Sequence, residues 1–227
     1  MAAKIEQYKK IRKAARSSAK KKAIVKAAEK VFGKKGFHEA PLSEIAKEAH
    51  ISESTIYEYF STKEELLFSI PAETIREYLN KNQEVLPYIR SAEEKLRSLI
   101  HSHLNLYAKN SDYAKVVMLN LKSNRNFLKT DAYKVVQESA RITTQVIEEG
   151  IKKGEFRSNQ QPHLVRAMIW GTIEHLVTRR SLLGKPDDLL SLADDITDTI
   201  LHGIMAPEKK PILNVHVTMK HKNSKDV

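Results

Sequence analysis

Cysteine is absent from this 227-residue chain, so neither a disulfide frame nor thiol chemistry is open to it. Glycine and proline are scarce, seven of each, and the glycines stand singly where helices should end. That leaves no glycine-rich phosphate loop and points to an all-helical chain. No apolar run reaches about 18 residues, the length that a membrane-crossing helix needs. The charged N-terminal region has no apolar leader core, so we expect a soluble, cytoplasmic protein with no membrane partner. No Ser-His-Asp, Cys-His or paired-carboxylate spacing stands out, so we expect no enzyme, no catalytic residue and no cofactor. His101 and His103 lie two residues apart on a helix and point roughly 200° away from each other, which argues against a shared metal ion.

Basic charge and helical periodicity are what the chain has. Lys and Arg number 39 against 28 Asp and Glu, a net charge of +11. Residues 1–22 hold nine Lys or Arg and one Glu, a balance that suits nucleic acid or another anionic surface. Residues 1–20 carry too little apolar surface for a core element and read as a flexible basic arm. From Lys22 the pattern changes. Ile24, Ala27, Ala28, Val31 and Phe32 form an apolar stripe, and Gly36 ends that helix where a left-handed residue costs little.

The stretch Pro41–Leu67 predicts a helix, a tight turn, a second helix and the start of a third. Leu42, Ile45, Ala46 and Ala49 share one face, and Pro41 suits a first helical position. Ser52 is a good N-cap for the second helix, in which Ile56 and Phe60 face inward and Glu53, Ser54, Thr55, Tyr57 and Tyr59 face outward. This is helix-turn-helix geometry: small hydroxylated side chains sit at the end of a helix that can enter a major groove. Ser54 and Thr55 are placed to touch bases. Tyr57, Tyr59 and Lys63 are candidates for phosphate oxygens, Lys63 at a helix N-terminus that also favours an anion.

Ala27-Ala28, Phe32, Gly36-Phe37, Ile45-Ala46, Ala49, Ile51-Ser52, Thr55-Ile56-Tyr57, Phe60, Lys63 and Leu66-Leu67 resemble, in order and spacing, the DNA-binding domain of TetR-family transcriptional regulators. The resemblance covers about 45 residues. It implies an all-helical homodimer with three DNA-binding helices followed by a divergent domain that dimerises and holds a small molecule. Three positions depart from the family pattern. Ala40-Pro41-Leu42 stands where many members have a Thr, so that phosphate contact either passes to Ser43 or is lost; Ser54 replaces a frequent Gly and Tyr59 a frequent His. TIYEYFSTKEELLFSIP also resembles a subgroup that responds to fatty acyl-CoA and controls fatty-acid metabolism, which makes acyl-CoA the expected effector.

Past Lys63–Ile70, Pro71 is expected to kink or restart the helix at the junction between the two domains. Further helices are expected at Glu73–Val85, Ala92–Ala108, Asp112–Lys122, Asp131–Lys153, His163–Leu183 and Asp188–Ile204. The His163–Leu183 helix is apolar on nearly every side and needs covering twice, so it is expected to meet a partner chain. With Asp188–Ile204 it matches in position the pair that forms a four-helix dimer interface in the family. After Met205, alternating Leu213, Val215, Val217 and Met219 suggest a short strand, or else a loose tail.

The expected organisation is therefore an arm at 1–20, a three-helix DNA-binding domain at 21–67, a larger ligand-binding and dimerisation domain at 68–205, and a tail at 206–227. The resemblance, together with a generous supply of bulky aromatic and Met residues, implies an elongated apolar pocket. Tyr78, Leu104, Tyr107 and Met118 are expected to line it with Phe127, Tyr133, Val136 and Trp170. The expected function is a repressor that leaves a palindromic double-stranded operator when a small apolar effector binds. The rival reading is an architectural nucleic-acid-binding protein with no effector.

Overall fold

Apolar stripes at three- and four-residue spacing produce helices throughout, and no strand is formed among the described residues. The computed structural model describes residues 2–206. Helices α1 (Ala2–Lys35), α2 (Leu42–Glu48) and α3 (Glu53–Tyr57) are followed by α4 (Lys63–Val85), α5 (Ala92–Lys109) and α6 (Ser111–Val116). The C-terminal half holds α7 (Asp131–Lys153), α8 (Pro162–Leu183) and α9 (Ala193–Ile204). The tail from 207 onward, where a strand or a loose end was expected, lies outside the described residues.

Residues 2–20 are helical, where the reading of the sequence expected a flexible arm. Their side chains from Lys10 to Lys22 are all exposed, so no core holds them. Helix formation follows from two other facts. The segment is rich in Ala, Lys and Arg, and the packed half of α1, with Ile24, Ala28 and Phe32 buried, supplies a nucleus from which each added residue gains a bond without a new nucleation cost.

The N-terminal core gathers Ile24, Ala28 and Phe32 of α1 with Ile45 and Ala46 of α2, Ile56 of α3, Phe60, and Leu66 and Leu67 of α4. Thr62 starts α4 by accepting from the Glu65 N–H at 3.0 Å, while the Glu65 carboxylate reaches back to the Ser61 N–H at 2.7 Å. Of the kink or restart expected at Pro71, the restart does not occur: α4 runs unbroken from Lys63 to Val85 through a buried Pro71, and one helix belongs to both halves of the molecule.

Two further contacts tie the halves together. Gly33 of α1 lies against the first turn of α6, where a Cβ would come within 2.6 Å of Asp112 Cβ and 2.7 Å of its Cα. The Phe37 N–H donates to Asn120 Oδ1 at 3.2 Å, and Asn120 sits in a π-helical turn, Val117–Leu121, that continues α6. The expected helix at Asp112–Lys122 is thus an α turn followed by a π turn, a local widening that often marks functional positions. In place of one helix at Asp188–Ile204 there is a 3-10 turn, Leu190–Leu192, and then α9.

His50, in the turn between α2 and α3, has φ of 55°. A left-handed conformation costs a residue with a Cβ about 1–2 kcal/mol. His50→Gly should therefore raise the unfolding free energy measured in urea by roughly 0.5–1 kcal/mol after glycine's own entropy cost.

Candidate functional site

Ser52 organises the exposed end of α3. Its Oγ accepts from the Thr55 N–H at 3.3 Å and lies 2.8 Å from Ser54 Oγ and 3.0 Å from Thr55 Oγ1. Three hydroxyls therefore stand together on the first turn, rotatable as donors or acceptors. Glu53, Ser54 and Tyr57 are exposed, as is Ser43 on the first turn of α2, so these side chains are free to face a duplex. Thr55 is half-buried, with Ile56 packed inward beside it.

The two remaining candidates are held by local ties. Tyr59 is half-buried, and its Oη accepts from Ser17 Oγ at 3.4 Å, which sets the basic half of α1 beside the end of the recognition helix. Lys13, Lys20 and Lys21, four, three and four residues from Ser17, share that face of α1. Lys63 donates to the His38 carbonyl at 3.2 Å and its Nζ lies 4.9 Å from the centre of the Phe37 ring. A phosphate must compete with both contacts, so the Lys63 side chain ties α4 to the turn before α2 as well as offering a charge. Local periodicity marks it as outward-facing, but His38 lies 25 residues away and no local pattern signals it.

In the C-terminal half the expected pocket residues divide into two aromatic clusters. Tyr78 of α4, His103 and Tyr107 of α5 and Trp170 of α8 meet around the imidazole, with ring centres 5.6 Å, 5.1 Å and 4.0 Å from that of His103. Phe127 lies 5.6 Å from both Tyr133 and Phe68. Leu104 and Met118 are buried in the core between helices, and Val136 is half-buried on α7. His103 and Phe68 were missed. The sequence signal for His103 was its place on the Leu99, Leu104 and Tyr107 face of α5.

Among the described residues, three buried side-chain atoms have no hydrogen-bond partner: Tyr78 Oη, His103 Nδ1 and Thr143 Oγ1. Burial lowers the His103 pKa to about 3, so the ring is neutral, and burial likewise pushes the Tyr78 phenol well above its ordinary range. His101 turns the other way, its Nε2 2.9 Å from Asp194 of α9, and no group of metal ligands forms among the described residues. A surface cleft of about 600 Å³ lies where α1, α4 and the start of α7 meet. Lys21, Lys22 and Arg76 line it, and Phe68 joins it to the second aromatic cluster. Its carboxylates are engaged: Glu73 with Lys22, Glu65 with the Ser61 N–H, Glu64 with Asn124 and Asp131 with Lys134.

A helix-turn-helix head joined by one continuous helix to a larger helical domain with an aromatic interior defines a DNA-binding regulatory protein. Residues 24–70 match the model of the bacterial regulatory proteins of the tetR family, and residues 72–203 match that of the YsiA-like protein C-terminal region. The chain belongs to the tetR family and is a DNA-binding transcriptional regulator. It is 30% identical over 181 residues to the fatty acid metabolism regulator protein of Bacillus subtilis (strain 168), covering 80% of this chain and 93% of that protein. Two solved structures share the fold over 80% of this chain and 98% of theirs. The fatty acid degradation regulator FadR of Bacillus halodurans has a TM-score of 0.74 at 30% identity, and FadR of Bacillus subtilis in complex with stearoyl-CoA has 0.75 at 31%.

If the hydroxyl cluster reads bases, Thr55→Ala should change preference at particular base pairs by about 1–3 kcal/mol in a selection from random duplexes. Lys63→Ala should weaken every duplex alike and lower the slope of log K against log salt by about one. A change in base preference from Lys63→Ala, with the salt slope unchanged, would place the helix differently.

Proposed function

We propose that the protein is an acyl-CoA-responsive repressor that binds a two-fold operator as a homodimer. Ser43, Ser52, Glu53, Ser54, Thr55 and Tyr57 face the duplex, with Tyr59 and Lys63 supporting the contact from their local ties and the basic face of α1 running along the backbone. The observation that carries the effector reading is the aromatic interior of the C-terminal domain, with buried polar atoms left unpaired, in a fold shared with a stearoyl-CoA-bound relative. A long acyl chain takes the apolar interior. The 600 Å³ cleft touches both α1 and α4, so its occupancy would bear directly on the DNA-binding head.

The dimer proposal rests on α8. Val165, Ile169, Ile173 and Val177 are buried within the chain, while Leu164, Met168 and Leu182 are 56%, 57% and 63% exposed on a different face. A second copy covers that face in the proposed homodimer.

A panel of acyl-CoAs of different chain length tests the effector. Long-chain members should raise Tm by several degrees at saturating concentration, with free CoA giving a much smaller shift. Equal shifts from CoA and from every acyl-CoA would remove the acyl chain from the reading.

A further inference from the structure

Tyr78 and His103 pose a physical problem that an acyl chain alone does not solve. Only 5% of the Tyr78 surface is exposed, yet its hydroxyl has no partner within hydrogen-bond distance, the neighbouring Asn82 amide being bonded to the Tyr78 backbone carbonyl at 3.0 Å. His103 Nδ1 is buried and unpaired too, and the two rings meet edge to face with centres 5.6 Å apart. Each unpaired buried polar atom costs about 1–3 kcal/mol. Packing bare methylenes against them would leave that cost in place. The pair therefore fits a ligand segment that carries an oxygen.

We propose that Tyr78 and His103 recognise the thioester carbonyl of the effector, an inference that rests on the acyl-CoA reading above. In an acyl-CoA with a plain hydrocarbon chain, the carbonyl is the oxygen nearest the apolar part. The neutral phenol donates to it. The neutral imidazole donates as well when its proton sits on Nδ1, since either ring nitrogen can hold it. Tyr107 and Trp170 pack against the same imidazole, with ring centres 5.1 Å and 4.0 Å away. The carbonyl then marks where the CoA arm ends and the chain begins, so these residues discriminate thioesters from other amphiphiles of similar length. Both would be specificity-determining contacts, with no chemistry done on the ligand.

The test compares a long-chain acyl-CoA with the matching S-alkyl-CoA, in which the carbonyl is replaced by a methylene, using calorimetry on the full-length wild type, Tyr78→Phe and His103→Phe. Wild type should prefer the thioester by about tenfold or more, which corresponds to about 1.4 kcal/mol. In Tyr78→Phe that preference should fall to less than about threefold through weaker thioester binding, with thioether affinity unchanged, and His103→Phe should act in the same direction. Without ligand, Tyr78→Phe should melt no lower than wild type, because it removes an unpaired hydroxyl from the interior; a purely structural hydroxyl would give a lower Tm. Equal wild-type affinity for thioester and thioether would overturn the proposal and assign a water to these atoms. A preference that survives both substitutions would place the carbonyl elsewhere and also overturn it. If neither compound binds wild type, the acyl-CoA reading itself fails, and this inference with it.

Discussion

Replacing Met168 and Leu182 together by Asp should turn the protein into a monomer and weaken its operator binding by about 10²–10⁴-fold. Both side chains are more than half exposed on α8, so the substitutions put charge on a surface that the chain's own core does not use. Two carboxylates in a desolvated partner interface cost far more than at a free surface. Operator affinity follows, because two linked heads on two half-sites gain an avidity that a single head lacks. Sedimentation of the variant at micromolar concentration, with circular dichroism to show retained helix, separates dissociation from unfolding. Ile196, on the second helix expected at this interface, is half-buried against the chain's own core, so an Asp there would disturb folding first. A Met168→Asp, Leu182→Asp protein that still sediments as a dimer would send the interface to another face.

Gly33→Ala should lower Tm by several degrees and blunt the response to effector. In an unconstrained helix interior this substitution stabilises by about 0.5–1 kcal/mol. Here the new Cβ would stand 2.6–2.9 Å from Asp112 Cβ, Cα and O, and two of those three are backbone atoms that cannot rotate away. The helices must separate, and overpacking of this kind typically costs about 1–3 kcal/mol. The sign of the effect is thus decided by the α1 to α6 contact and not by helix propensity. In the proposed mechanism that contact also carries the coupling: α6 continues into the π turn whose Asn120 accepts from the Phe37 N–H, so spreading α1 from α6 would loosen the head from the C-terminal domain. Thermal unfolding gives the first effect. The second appears as a smaller effector-induced change in operator affinity. A Gly33→Ala protein more stable than wild type would show that the two helices yield freely.

The helix-turn-helix was legible in the sequence because its determinants are local. Ser52 caps α3 within three residues, Ile45, Ala46 and Ile56 lie at helical spacing, and Thr62 with Glu65 sets the start of α4. The course of α1 was not, because composition that is poor in apolar residues argues against a core position but says little against an exposed helix grown from a packed nucleus. That the helix does not restart at Pro71 was not legible for a related reason: the local cost of the ring is fixed, while the burial that offsets it comes from other elements. Among the site residues, Ser52, Ser54 and Thr55 were recognisable as a group. The tie of Lys63 to His38 and Phe37 depends on tertiary approach. So does the aromatic box, which takes Tyr78 from α4, His103 and Tyr107 from α5 and Trp170 from α8. The spacing of His101 and His103 was enough to show that they diverge, one to Asp194 and one to that box, but not what the second would meet.

In the proposed function, acyl-CoA binding and operator binding oppose each other through one fold. That opposition is tested most directly by measuring operator affinity, on a duplex recovered by selection, with and without saturating stearoyl-CoA, and then measuring stearoyl-CoA affinity with and without that duplex. Linkage requires the two factors to be equal, and each affinity should weaken by at least about tenfold, a coupling of about 1.4 kcal/mol. Stearoyl-CoA that binds the protein while leaving operator affinity unchanged would contradict it.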